Sequence, residues 1–160
     1  MIAGSCVGAV STGAGAASYP IRNGGYVDSG RPNVVVEFVV GDHGTRVTED
    51  GITCSPNASL IAQGATAGAE QFVPIPQPLP GRISAGGSIT YSASLTLTPD
   101  DTQSSVSVTT NVVLTIHFLS LAKAVPNKTV AATGTVWVPS VCPGTSPTHF
   151  QLRWDPSARL

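Results

Sequence analysis

The clearest regularity in the chain is the stretch SITYSASLTLT, in which Ile89, Tyr91, Ala93, Leu95 and Leu97 alternate with Ser88, Thr90, Ser92, Ser94, Thr96 and Thr98. A period of two over eleven residues is the signature of a strand with one face buried and the other in water. Pro99-Asp100-Asp101 then reverses the chain, and residues 105–121 alternate again through Val106, Val108, Val112, Leu114, Ile116 and Phe118. Together these segments predict a long hairpin of about 30 residues including its turn. The second strand turns apolar on its other face as well, at Val113, Leu119 and Leu121, so it is expected to run from an edge into the core.

Other segments carry the same pattern. Residues 34–40, VVVEFVV, are nearly all β-branched and predict a strand buried on both faces near its middle. Gly41-Asp42-His43-Gly44 supplies a hairpin turn into a strand at 46–54. Weaker strands are expected at 58–62 and 71–73, with further strands at 129–138 and 148–154. Asn23-Gly24-Gly25 and Asp28-Ser29-Gly30 read as a turn-rich entry. VPIPQPLPG places proline at 74, 76, 78 and 80; each removes a backbone donor, so this stretch is an extended connector or an edge and not a central strand. No helical periodicity longer than a turn or two is present, nor any internal repeat. The expected fold is all-β, an antiparallel β-sandwich of immunoglobulin-like or jelly-roll type, with six to eight strands and a long hairpin.

The first eighteen residues, MIAGSCVGAVSTGAGAAS, contain no charge and no regular apolar period. A secretory leader needs a basic start and an unbroken apolar stretch, and this segment has neither, although Ala14-Gly15-Ala16-Ala17-Ser18 resembles a cleavage site. The expected organisation is an uncharged arm, or remnant leader, at 1–18, followed by one domain at 19–160. As an arm it would use Ile2, Val7 and Val10 to pack against a neighbouring subunit, adding a strand to an open sheet edge.

Composition narrows the function. Charged residues make up 11% of the chain, against a usual figure of about 25%, and eight Lys and Arg stand scattered against nine Asp and Glu. That distribution gives no footprint for phosphate backbones, so nucleic acid is not an expected partner. No run of eighteen apolar residues is present to span a membrane as a helix. Of Cys6, Cys54 and Cys142, the pair Cys54–Cys142 is the first choice for a disulfide, since both lie near predicted strand ends; three buried thiols in a reducing compartment is the other reading, and spacing leaves both open.

Candidate chemistry is thin. Asp28-Ser29-Gly30 with Val39-Val40-Gly41 has the local form of aspartic-protease elements, but about ten residues between them are far too few for that fold, so Asp28 reads as a turn former. His43, His117 and His149 lack metal-ligand spacing, and no nucleophile–base constellation or dinucleotide loop stands out. Asn57-Ala58-Ser59 and Asn127-Lys128-Thr129 are formal glycosylation acceptors. Trp137, Trp154, Tyr91 and Phe118 read as core or hairpin aromatics, with a carbohydrate platform as the sharper alternative. No catalytic, cofactor-binding or metal residue is nominated, and no cofactor is expected. The expected function is therefore non-enzymatic: a structural or assembly protein, foremost a virion component (capsid decoration, minor capsid or tail protein) or a filament subunit. Its partners would be copies of itself or another structural protein, engaged through the arm and sheet edges. The alternative is an exported, adhesin-like cell-surface module.

Overall fold

The structure is a computed structural model that describes residues 21–28, 33–102, 104–119, 130–155 and 157. Eight strands form it: β1 (Gly24–Asp28), β2 (Val34–Gly41), β3 (Arg46–Cys54), β4 (Gln71–Phe72), β5 (Ser88–Leu97), β6 (Val108–Phe118), β7 (Val130–Trp137) and β8 (Thr148–Asp155). All seven pairings are antiparallel, in the order β4-β3-β2-β1-β8-β7-β6-β5. The all-β antiparallel expectation holds. The strands lie in one curled sheet, a half-barrel, where two packed sheets were anticipated. Alternation reports that each strand has a buried face; it does not say what covers it, and a sheet that curls can cover its own.

Sequence neighbours pair throughout, except that β8 returns to β1 and that residues 73–87 cross from one end of the sheet to the other. The inner face holds the core. Tyr26 of β1 meets Phe118 of β6 edge-on, 5.1 Å between ring centroids, and Phe38 of β2 lies 6.1 Å from Phe150 of β8. Tyr26 reaches past β8 and β7 to touch Phe118, which only the curl of the sheet permits. Gly134 in β7 leaves room for the Phe150 ring on its neighbour: a side chain there would run into that ring and the Thr115 carbonyl.

The long hairpin is β5–β6, registered from Ser88 opposite His117 to Leu97 opposite Val108. Its turn carries a short helix, α2 (Pro99–Thr102), which lies against both β4 and β5 and so helps close the mouth of the half-barrel.

Three expectations need correction. Residues 58–62 are not a strand but a helix, α1 (Ala58–Ala62): Asn57 caps it, accepting from the Leu60 amide at 2.8 Å, and only Leu60 of its apolar residues is buried. Gly24 and Gly25, read with Asn23 as turn, open strand β1. Tyr26 is buried in the core, and Tyr26 and Val27 pair on both sides, with β2 and β8. Finally, β2 is not buried equally on both faces; Val34, Val36, Phe38 and Val40 are buried, while Val35, Glu37 and Val39 are half-covered. The hairpin turn at Asp42–Gly44, the edge strand at Gln71–Phe72, and strands β7 and β8 fall where the pattern put them.

Cys54, at the end of β3, is bonded to Cys142, in the segment between β7 and β8, with Cα atoms 5.6 Å apart. The bond closes a loop with a sequence separation of 88. Chain-entropy reasoning assigns such a loop about 4–5 kcal/mol of stabilisation. Replacing both cysteines by alanine should therefore lower unfolding stability by about 2–5 kcal/mol. Denaturant titration of the oxidised protein against the double variant measures this, and an unchanged midpoint would refute it.

Candidate functional site

The face of β5–β8 turned away from the core is built almost wholly of hydroxyls, imidazoles and amides. The ladders place Ser88, His117, Thr133 and Gln151 in one row across four strands, and Thr90, Thr115, Thr135 and His149 in the next. Between them lies a hollow of about 370 Å³, lined by Thr115, His117, Thr133, Gly134, Thr135, His149, Phe150 and Gln151. Cross-strand polar contacts tie the face together. Ser88 Oγ lies 2.8 Å from His117 Nδ1, Thr96 Oγ1 3.1 Å from Thr109 Oγ1, and Thr90 Oγ1 3.5 Å from Thr115 Oγ1.

A serine beside a histidine is half of a nucleophilic pair, and among the described residues no carboxylate contacts that imidazole to orient it. The described residues likewise hold no group of three His, Cys, Asp or Glu placed to take a metal ion. Trp137 projects from the next row of this face, 37% exposed, so it is not a core residue. Trp154 is half-buried; the Arg22 guanidinium sits over its ring at 4.6 Å, and its Nε1 donates to the Asn23 carbonyl at 3.1 Å.

The two ends of the sheet are finished differently. Beyond β4, the proline segment continues along β3: the amides of Val73, Leu79 and Ile83 donate to the carbonyls of Ile52, Val47 and Thr45 at 3.0, 3.1 and 2.9 Å, and the Gln77 side chain donates to the Asp50 carbonyl at 2.7 Å. Pro74, Pro76, Pro78 and Pro80 carry no N–H, and the Ile75 amide donates back to the Val73 carbonyl at 2.9 Å. With the Val73 and Leu79 amides bonded to β3, the segment has few donors to offer another strand.

At the opposite end, among the described residues, no segment lies along β5 in this way. The Phe118 amide donates to the Gly87 carbonyl at 2.8 Å, which fixes the phase of the ladder: odd-numbered residues of β5 bond to β6, and even-numbered ones face out. Ser88 shows this, since its outward groups bond to Ser84 instead, carbonyl to amide at 2.8 Å and amide to Oγ at 3.0 Å. Thr90, Ser92, Ser94 and Thr96 follow in the same phase. No other described residue bonds to their outward backbone groups.

One ionisable group stands apart. Asp50 of β3 points into the core at 2% exposure, and neither carboxylate oxygen has a hydrogen-bond partner. Burial pushes its carboxyl up to about 7. Burial also raises Tyr91, and the nearby Asp50 charge raises it further.

Of the residues the sequence singled out, Cys54 and Cys142 are joined; Ile2, Val7 and Val10 of the arm and the third cysteine, Cys6, lie outside the described residues, as does the Asn127 acceptor. Asn57 is committed to the fold: besides capping α1, its side chain donates to the Pro139 carbonyl at 3.0 Å, which leaves its amide nitrogen engaged. Asp28 closes β1 opposite Leu152, and the rest of the turn expected there, at 29 and 30, lies outside the described residues. Sequence reasoning missed Asp50, whose only signal was an acidic residue in the buried register of its strand. Comparison with protein-family models, curated proteins and solved structures finds no match.

Asp50 yields a signed expectation. A carboxyl whose value is higher folded than unfolded keeps its proton in the native state while the unfolded chain loses one, so stability falls as pH rises from about 4 to about 7 and then levels off. The total is about 4 kcal/mol. Asp50→Asn should remove this decline, with little difference from the parent at pH 4 and a higher transition temperature at pH 8. Thermal melts across that range test it, and parallel pH profiles for the two proteins would contradict it.

Proposed function

We propose that this chain is a non-enzymatic structural subunit that acts by assembling with copies of itself or with another structural protein. The fitting setting is a virion, as a capsid decoration, minor capsid or tail component, or a filament. The observation that carries this reading is the unequal treatment of the two sheet ends. A protein that stays single blunts both edges, whereas here one is left with few donors by four prolines and the other is a ten-residue strand with no proline, no charge and no bulge. The hydroxyl-covered outer wall supports the reading, because a neutral surface meets a neighbour without charge repulsion. So does the uncharged segment 1–18, whose Ile2, Val7 and Val10 are suited to lie against another subunit.

The Cys54–Cys142 bond favours a second setting, an exported cell-surface module, since disulfides persist in oxidising surroundings. Virion surfaces meet the same condition, so the bond is compatible with both. Sedimentation and light scattering of the native protein over a range of concentrations separate a subunit from a solitary module. The expected result is association beyond the single chain. Truncation after Ser18 should leave the thermal transition nearly unchanged while reducing the largest assemblies. A protein that remains monomeric at every concentration would overturn the assembly reading.

A further inference from the structure

We propose that the open edge of β5 pairs with the same edge of a second copy across a two-fold axis at Ala93, joining two half-barrels into one continuous sheet. This rests on the assembly reading above and specifies its contact. An isologous pairing requires one patch to be complementary to itself. Antiparallel pairing centred on Ala93 sets Ser92 opposite the partner's Ser94, and Thr90 opposite the partner's Thr96. These are the residues whose N–H and C=O point outward, so each such pair exchanges two backbone hydrogen bonds.

Shifting the centre to Ser92 would call on Ser88, whose outward groups are already bonded to Ser84, and would leave Thr96 without an equivalent partner. Centring on Ala93 uses the free groups and no others. Ala93 then meets its symmetry mate in the non-hydrogen-bonded position, where strands bring side chains closest and a methyl group fits best. On the inner face, Leu95 and Ala93 are only half-buried, unlike their neighbours Tyr91 and Leu97. In the pairing Leu95 lies opposite the partner's Tyr91, which covers apolar surface the single chain leaves in water. On the outer face, hydroxyl meets hydroxyl, with no charge on either strand to repel.

The test uses the full chain. Ser92→Pro removes an outward donor without touching the β6 ladder, and Ser92→Lys/Ser94→Lys places like charges opposite one another at exposed positions. Both should keep a cooperative thermal transition matching the parent's at concentrations where the parent is monomeric, and weaken the dimer by on the order of 30-fold or more in sedimentation equilibrium. In a Cys6→Ser background, Ala93→Cys should form an intermolecular disulfide on oxidation, since strands at this position approach to within bridging distance. If the parent associates and neither edge variant weakens it, or Ala93→Cys does not cross-link, the two-fold pairing is wrong while the assembly reading stands. If the dimer is lost on truncation after Ser18 as well as on Ser92→Pro, the edge receives the N-terminal segment of another copy, and the β5–β5 pairing is again overturned. A parent that is monomeric throughout overturns both.

Discussion

The architecture turns on a short ladder between β1 and β8. Gly25, Tyr26, Val27 and Asp28 pair with Asp155, Trp154, Arg153 and Leu152, and this is where the N-terminal half of the sheet joins the C-terminal half. β2 to β4 and β5 to β8 are two meanders that would otherwise each expose a broad apolar face. Bringing together residues more than a hundred positions apart carries a large loop-closure cost, and a ladder of this length offsets it only with help. The help is local: Tyr26 is buried against Phe118, its hydroxyl donates to the Arg22 carbonyl, and Arg22 covers Trp154 beside it. On the other side the Cys54–Cys142 bond ties β3 to the segment leading into β8. The two halves are thus pinned both by hydrogen bonding and by a covalent link.

A curled sheet that stops short of closure has to place a connector across its mouth, and here the connector and the proline guard are the same residues. The segment 73–87 lies along β3, shields that edge, and delivers the chain to β5 on the far side. It also helps to explain Asp50. Gln77 binds the backbone carbonyl of Asp50 and covers the strand there, while no described residue hydrogen-bonds to its carboxylate. The buried acid is therefore a destabilising feature at neutral pH that the rest of the core tolerates.

Strands with one wet face were legible because polar residues mark the alternate positions unambiguously, serine and threonine from Ser88 to Thr98, and His149, Gln151 and Arg153 in β8. Elements whose signal lies elsewhere were not. β1 is hidden by Gly24 and Gly25, which look like turn chemistry until Tyr26 is seen to be buried and laddered on both sides. α1 spans five residues, too few for a helical period to show, and the informative residue was its cap, Asn57, more than the apolar Leu60 and Ile61. The prolines were read correctly as excluding a central strand, yet the hydrogen bonds that hold their segment along β3 are visible only in the structure. The edge of β5 was equally invisible: the sequence predicts a strand but not which of its sides is left unpaired.

The register of β1 against β8 also gives the subunit a direction. Gly25 stands opposite Asp155, so the chain enters the sheet and leaves it at the same pole, on adjacent strands. β5 lies three strands away from β8, about 15 Å along the sheet. Under the assembly proposed above, a copy gripped by the β5 edge and anything joined beyond Gly25 and Asp155 therefore lie on different sides of the sheet.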